Sequence, residues 1–169
     1  MKSRKLSPSD PAVPPLRLIG VIGASAAAPR ILALAEEVGR LIARRGAALV
    51  CGGLGGVMEA ACRGAAAEGG LTVGILPGAE HNPFVRLPLR TGLGRGRNLV
   101  LVQAAAGFVA VAGGLGTLNE ISGALNEGKP VVALESWDLQ AAGETPRDLF
   151  AKAEDPARAV DLLFAMLDR

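Results

Sequence analysis

The stretch from Phe108 to Ile121, F-V-A-V-A-G-G-L-G-T-L-N-E-I, most constrains what this chain can fold into. Val109 to Ala112 form a short unbroken apolar run bounded by glycines, the pattern of a strand buried on both faces. Gly113, Gly114 and Gly116 then allow a sharp turn and a close approach of the backbone to a neighbour, after which Thr117 and Glu120 begin a helix. Strand, glycine turn and helix opening together have the shape of a phosphate cradle. The unit recurs upstream, where Ala48 to Cys51 lead into Gly52, Gly53, Gly55 and Gly56 and then a helix from about Val57.

The remaining segments alternate in the same way. Leu16 to Ile22 reads as the first strand and ends in the small residues Gly23-Ala24-Ser25. Pro29 suits the first turn of a helix whose Ile31, Leu34, Ala35, Val38, Leu41 and Ile42 recur on one face, and Gly46 stops it. Strands over Ala47 to Cys51 and Leu71 to Leu76 flank the helix at Val57 to Ala67. Ala79 to Arg90 is the least regular part; it holds His81, the sole histidine, which reads as a solvated loop residue, and a candidate fourth strand at Phe84 to Leu87. Thr91 to Asn98 lead into a helix through about Ala105. The fifth strand and its glycine turn follow, then a helix through Asn126 stopped by Gly128, and a sixth strand at Val131 to Leu134. Asp155-Pro156 supplies an N-cap and a first-turn proline for a last helix. Glu135 to Glu154 reads as loop. Strands alternating with helices predict right-handed crossovers and an α/β architecture, a doubly wound parallel sheet of about six strands with helices on both faces.

A chain of 169 residues buries roughly 70% of its unfolded surface in one domain, without disulfide or metal. Residues 16–169 are expected to form that domain behind a flexible leader, residues 1–15. The leader carries charge and prolines but no apolar core of a signal peptide, and no apolar run reaches bilayer length, so neither membrane association nor export is expected and the cytoplasm is. Net charge is only +2, the basic residues are scattered, and tyrosine is absent, which argues against nucleic acid as a partner. Cys51 and Cys62 lack metal-ligand spacing and read as small core residues; no metal site is expected.

In an open parallel sheet the ligand crevice lies beyond the carboxyl ends of the strands. The turns at Gly23, Gly52 and Gly113 all belong to that edge, and two of them open helices whose unpaired N–H groups favour an anion. A phosphorylated small molecule fits best. Neither glycine turn contains the lysine of a P-loop, and Gly20 and Gly23 lack the spacing of a dinucleotide fingerprint. Two residues are candidates for reactive roles. Arg97 opens the helix before the fifth strand, where a guanidinium can fork onto phosphate or carboxylate. Glu120 follows Thr117 at the T-x-x-E spacing of a capping box, so the residues alone leave cap and catalyst open; Glu59 carries the same ambiguity.

Four ordered motifs point further: Gly52-Gly53-x-Gly55-Gly56-Val57-Met58-Glu59-Ala60, Gly70-Leu71-Thr72-Val73-Gly74-Ile75-Leu76-Pro77, Thr91-Gly92-x-Gly94 with Arg97-Asn98, and Gly113-Gly114-x-Gly116-Thr117-x-x-Glu120. Together they resemble the molybdenum cofactor carrier protein family, within the wider LOG-like group once labelled "possible lysine decarboxylase". The resemblance covers about Leu16 to Leu134. It implies a Rossmann-like fold, self-association into dimers or tetramers, and a carrier-like protein holding a molybdopterin-type cofactor, a nucleotide or phosphate. The binding set would be Gly23, Ser25, Gly52, Gly53, Gly55, Gly56, Met58, Arg97, Asn98, Gly113, Gly114, Gly116 and Thr117. LOG enzymes are more distantly similar and imply an alternative, a nucleoside 5'-monophosphate phosphoribohydrolase in which Glu120 stabilises the developing positive sugar or positions water and Arg97 orients the substrate. The chain departs from their motif at Ala112, where they have proline, and at Asn98, where they tend to have lysine. A lysine decarboxylase is excluded, because Lys2, Lys5, Lys129 and Lys152 all lie away from the crevice edge.

Overall fold

The computed structural model describes residues 15–139 and 148–169. All but the last residue of the expected leader, and residues 140–147 of the stretch read as loop, lie outside the described residues. Seven strands form one parallel sheet: β1 (Leu18–Gly23), β2 (Ala48–Cys51), β3 (Thr72–Leu76), β4 (Leu87–Arg90), β5 (Gly107–Val111), β6 (Val131–Leu134) and β7 (Phe150–Ala153), in the order β4-β3-β2-β1-β5-β6-β7. The order reverses between β1 and β5, which pair in register from Ile19–Gly107 to Gly23–Val111. Such a reversal opens a crevice at the carboxyl ends of those two strands.

Five helices cover the sheet: α1 (Pro29–Arg44), α2 (Val57–Ala67), α3 (Arg97–Ala104), α4 (Leu115–Asn126) and α5 (Pro156–Leu167). One core joins α1, α2 and α5 to one face through Val38, Ile42, Ala61 and Leu163. The other joins α3 and α4 to the opposite face through Leu101, Val102, Ile121 and Ala124. The architecture is the expected α/β Rossmann-like sandwich, with seven strands in place of about six. Helices α1 and α2 cross at two glycines: a β-carbon on Gly39 would lie 2.0 Å from the Ala61 carbonyl oxygen, and one on Gly64 would lie 1.9 Å from that of Glu36. As the sequence predicts, Asp155 caps α5, accepting a hydrogen bond from the Arg158 N–H at 2.8 Å.

Three differences from the sequence reading have physical causes. The fourth strand starts at Leu87, not Phe84, because side chains bend the preceding residues into a turn: Asn82 Oδ1 accepts from the Phe84 N–H at 3.0 Å, and Thr72 Oγ1 donates to the Phe84 carbonyl at 2.6 Å. Pro88 is tolerated there because β4 is an edge strand. The second difference is β7, which lies in the stretch read as loop and pairs with β6 from Val131–Phe150 to Leu134–Ala153. Its F-A-K-A sequence lacks the β-branched run that would mark a strand. The third is the start of α4 at Leu115, with Gly114 as N-cap.

Candidate functional site

Three loops meet at the carboxyl edge. The first follows β1 at Gly23. A β-carbon there would lie 2.3 Å from the Val111 carbonyl oxygen and 2.6 Å from Val57 Cγ1, so Gly23 is a close-packing position. Ala24 and Ser25 touch the second loop, where the Val57 N–H at the start of α2 donates to the Ala24 carbonyl at 2.9 Å. That helix opening is therefore partly spent inside the protein. Met58, in its first turn, is buried in the core.

Arg97, at the start of α3, reaches across β3 to the second loop. Its Nη1 donates to the Ile75 carbonyl at 2.9 Å, and its guanidinium covers Gly52 so closely that a β-carbon there would be 1.9 Å from Nη1. Gly52 is thus the seat of Arg97. Burial lowers the Arg97 pKa from the usual guanidinium range, and the Glu120 carboxylate opposes that shift.

Glu120 is only 9% exposed. Because α4 begins at Leu115 with no side-chain cap bond, Glu120 lies in the second helical turn and the capping-box reading is excluded. It makes no hydrogen bond among the described residues, and burial, offset in part by Arg97, raises its carboxyl to about 7. A carboxyl held near neutrality in a partly enclosed site can take or give a proton at physiological pH. Glu120 also lines a groove of about 310 Å³ between α3 and α4, with Asn98, Asn119 and Ser122 as polar walls and Leu99 and Val102 as apolar ones.

The third loop, Ala112-Gly113-Gly114, is the least spent. Gly113 has φ 107° and lies against the buried Thr117, while β-carbons added to Gly114 or Gly116 would meet nothing within 4 Å. Ala112 has φ 49°, which proline, locked near −65°, cannot adopt. The loop therefore enters differently from one led by proline.

Three side chains that the sequence reading did not assign brace these loops. Asn82 holds the second loop by its side-chain amide, which donates to the carbonyls of Gly53 at 3.1 Å and Leu54 at 2.9 Å. Ser136 Oγ donates to the Ala112 carbonyl at 2.5 Å, and Trp137 Nε1 donates to the Gly114 carbonyl at 3.1 Å. A buried Asn in a proline-flanked turn is the one signal that a sequence offers for such a brace; Ser136 and Trp137 follow β6 with none. Elsewhere, Lys129 Nζ donates to the carbonyls of Val102, Gln103 and Ala105 at 2.6–2.7 Å, tying off the end of α3. His81 Nδ1 lies 2.9 Å from the Asn82 carbonyl oxygen. Cys51 and Cys62 are buried free thiols with their sulfurs 3.5 Å apart.

A doubly wound sheet with glycine loops, an arginine and a buried carboxyl at its carboxyl edge defines a class of Rossmann-like α/β proteins. Within it, residues 16–161 match the sequence pattern of the SLOG cluster4 family, and the chain belongs to that family. The molybdenum cofactor binding protein of Rippkaea orientalis is 34% identical, with a TM-score of 0.84 over 92% of this chain and 99% of that one. The molybdenum cofactor carrier protein of Chlamydomonas reinhardtii is also 34% identical, with a TM-score of 0.81 over 90% and 99% of the two chains. A cytokinin riboside 5'-monophosphate phosphoribohydrolase of Mycobacterium marinum is 36% identical over 124 residues, which span 64% of this chain and 65% of that enzyme. The protein is similar to a molybdenum cofactor binding protein and a molybdenum cofactor carrier protein over nearly its whole length and to a phosphoribohydrolase over less. Among the described residues no helix is long and apolar enough to cross a membrane.

Proposed function

We propose that this protein is a cytoplasmic carrier that holds a phosphorylated small molecule, a molybdopterin-type cofactor or a nucleotide, at the carboxyl edge of its sheet. The observation that carries the reading is the third loop: Gly114 and Gly116 border open space at the opening of α4, the helix whose second turn carries the buried Glu120, itself within reach of the Arg97 charge. Backbone N–H groups of the glycine loops bind phosphate oxygens, several convergent bonds supplying more than a helix dipole alone. Arg97 neutralises the bound charge, and Asn98 with the groove between α3 and α4 receives the ring system. The two cofactor carriers support this reading by likeness along nearly the full chain. Calorimetry with AMP, GMP and inorganic phosphate tests it, together with pterin fluorescence from protein purified from a cofactor-producing host. Micromolar binding that Arg97→Glu removes is expected; no binding of any of these overturns it.

The second reading is a nucleoside 5'-monophosphate phosphoribohydrolase. Glu120 favours it, because a carboxylate at an oxocarbenium-like centre stabilises the transition state electrostatically. Adenine release from AMP, lost in Glu120→Gln, is the expected result; the absence of adenine removes the reading. Either function fits a homo-oligomer, a dimer or tetramer, and the exposed Leu93, Leu99 and Val100 at the start of α3 supply an apolar surface for it. Sedimentation velocity measures the state directly.

A further inference from the structure

The braces on the two glycine loops share one geometry. A trans peptide is planar, with its C=O and the following N–H pointing in opposite directions, so a donor that fixes a carbonyl also fixes the next N–H the other way. Asn82 fixes the carbonyls of Gly53 and Leu54, and with them the N–H groups of Leu54 and Gly55. Ser136 fixes that of Ala112, and with it the N–H of Gly113; the Gly114 carbonyl accepts from Trp137 Nε1 and also from the Leu118 N–H of α4 at 3.0 Å, so helix and Trp137 together fix the N–H of Leu115.

Sheet order gives these directions a meaning. Asn82 follows β3, which lies outside β2, and Ser136 and Trp137 follow β6, which lies outside β5; β1 is between the two pairs. The Gly53, Leu54 and Ala112 carbonyls, drawn outward, leave the N–H groups of Leu54, Gly55 and Gly113 directed inward, toward the switch point at β1, while the Gly114 carbonyl runs along α4 to the Leu118 N–H and leaves the Leu115 N–H at the helix opening. None of the four N–H groups donates to a partner among the described residues. The second brace also holds strained backbone, since Ala112 and Glu135, at the ends of β5 and β6, have φ of 49° and 51°. Arg30 anchors the same segment from α1, its Nη1 donating to Glu135 Oε1 at 2.7 Å. Glu120, nine-tenths buried and without a hydrogen bond among the described residues, independently indicates a ligand in the groove between α3 and α4, within reach of the Arg97 charge.

We propose that Asn82, Ser136 and Trp137 are positioning residues that aim the N–H groups of the two glycine loops at the phosphate of the bound molecule. The proposal rests on the binding function above. A purely structural role, satisfying buried carbonyls, would leave phosphate affinity unchanged in variants that fold, and that is the difference to measure.

Amide ¹H–¹⁵N spectra of the full chain, titrated with inorganic phosphate and with AMP, separate the cases. In the unaltered protein the resonances of Gly55, Gly113 and Leu115 are expected to shift. Ser136→Ala removes the donor to the Ala112 carbonyl and should weaken binding about tenfold, moving the Gly113 shift to higher phosphate while that at Gly55 is less affected; Trp137→Phe, in which the Leu118 N–H still holds the Gly114 carbonyl, should weaken it by less. Ser136→Thr restores the hydroxyl and should restore the shifts. Asn82→Asp keeps the acceptor for the Phe84 N–H and its own backbone bond to the Gly53 carbonyl at 2.8 Å but loses both side-chain donor bonds, freeing the Leu54 carbonyl, and should show the reverse pattern at Gly55. Each loop has its own variant, so one that fails to fold leaves the other to decide. Wild-type affinity in folded Ser136→Ala, Trp137→Phe and Asn82→Asp overturns the proposal. Absence of any shift in the unaltered protein overturns the binding function itself.

Discussion

The two glycine loops are nearly identical in sequence, Gly52-Gly53-Leu54-Gly55-Gly56 against Gly113-Gly114-Leu115-Gly116-Thr117, yet they are glycine-rich for different reasons. In the first, a β-carbon would lie 1.9 Å from Arg97 at Gly52 and 2.4 Å from the Ala24 carbonyl oxygen at Gly56. Its glycines let other parts of the protein come close. In the second only Gly113 is hemmed in, and Gly114 and Gly116 face open space. The first loop seats the arginine, and the second leaves room for a ligand. A glycine run therefore records close approach without saying whether the visitor is the protein itself or something else.

The largest effect expected from this contrast is at Gly56. Its φ of 65° disfavours any side chain, and the atoms a methyl would strike belong to the Ala24–Ser25 backbone, which cannot rotate away. Gly56→Ala should cost about 3 kcal/mol or more, seen as a lower urea midpoint. A change under about 0.5 kcal/mol would show that the first loop is not the packed one.

Glu120 comes next. Burial raises its carboxyl to about 7 in the folded protein, from an ordinary value of 4.5. Between those values the folded state binds more protons than the unfolded one, so stability is greatest at the acid end of that window and falls as pH rises through it. The full loss is roughly 3 kcal/mol at 1.36 kcal/mol per unit. Glu120→Gln should flatten this slope, checked by urea midpoints at pH 5 and pH 8. An unaltered slope would assign it to other groups.

Gly52→Ala separates function from fold. The three atoms nearest the added methyl all belong to the movable end of Arg97, so the chain should fold with a loss of about 1 kcal/mol, matching one displaced hydrogen bond to Ile75. AMP binding should fall at least tenfold because the guanidinium moves. Equal AMP affinity in Gly52→Ala and the unaltered protein would remove Arg97 from the site.

The layers and the edge that carries the site were legible in the sequence because buried strands and glycine turns follow from local pattern. The short edge strand β7 was not, since its residues are held by pairing with β6 on one side. Glu120 was legible as a residue but not as a role: the T-x-x-E spacing fits a cap, and only the start of α4 at Leu115 removes that reading. The braces were illegible for a further reason. Ser136 and Trp137 act on residues 24 and 23 positions away, across a β-α-β connection, and no local pattern encodes a hydrogen bond between two such loops.

The smallest effect on stability is the most telling. Gly116 lies in the first turn of α4 with nothing within 4 Å of an added β-carbon. Replacing it by alanine removes freedom from the unfolded chain and should leave stability unchanged or raise it by about 0.5–1 kcal/mol. The same methyl would stand where the proposed phosphate approaches the backbone, so AMP affinity should fall while the melting temperature does not. Substitutions at Gly52, Gly53 or Gly56 of the first loop cannot give this combination, because there the displaced neighbour is part of the protein. If Gly116→Ala binds AMP as well as the unaltered chain, the open face is not the ligand face, and the distinction between the two loops reduces to packing alone.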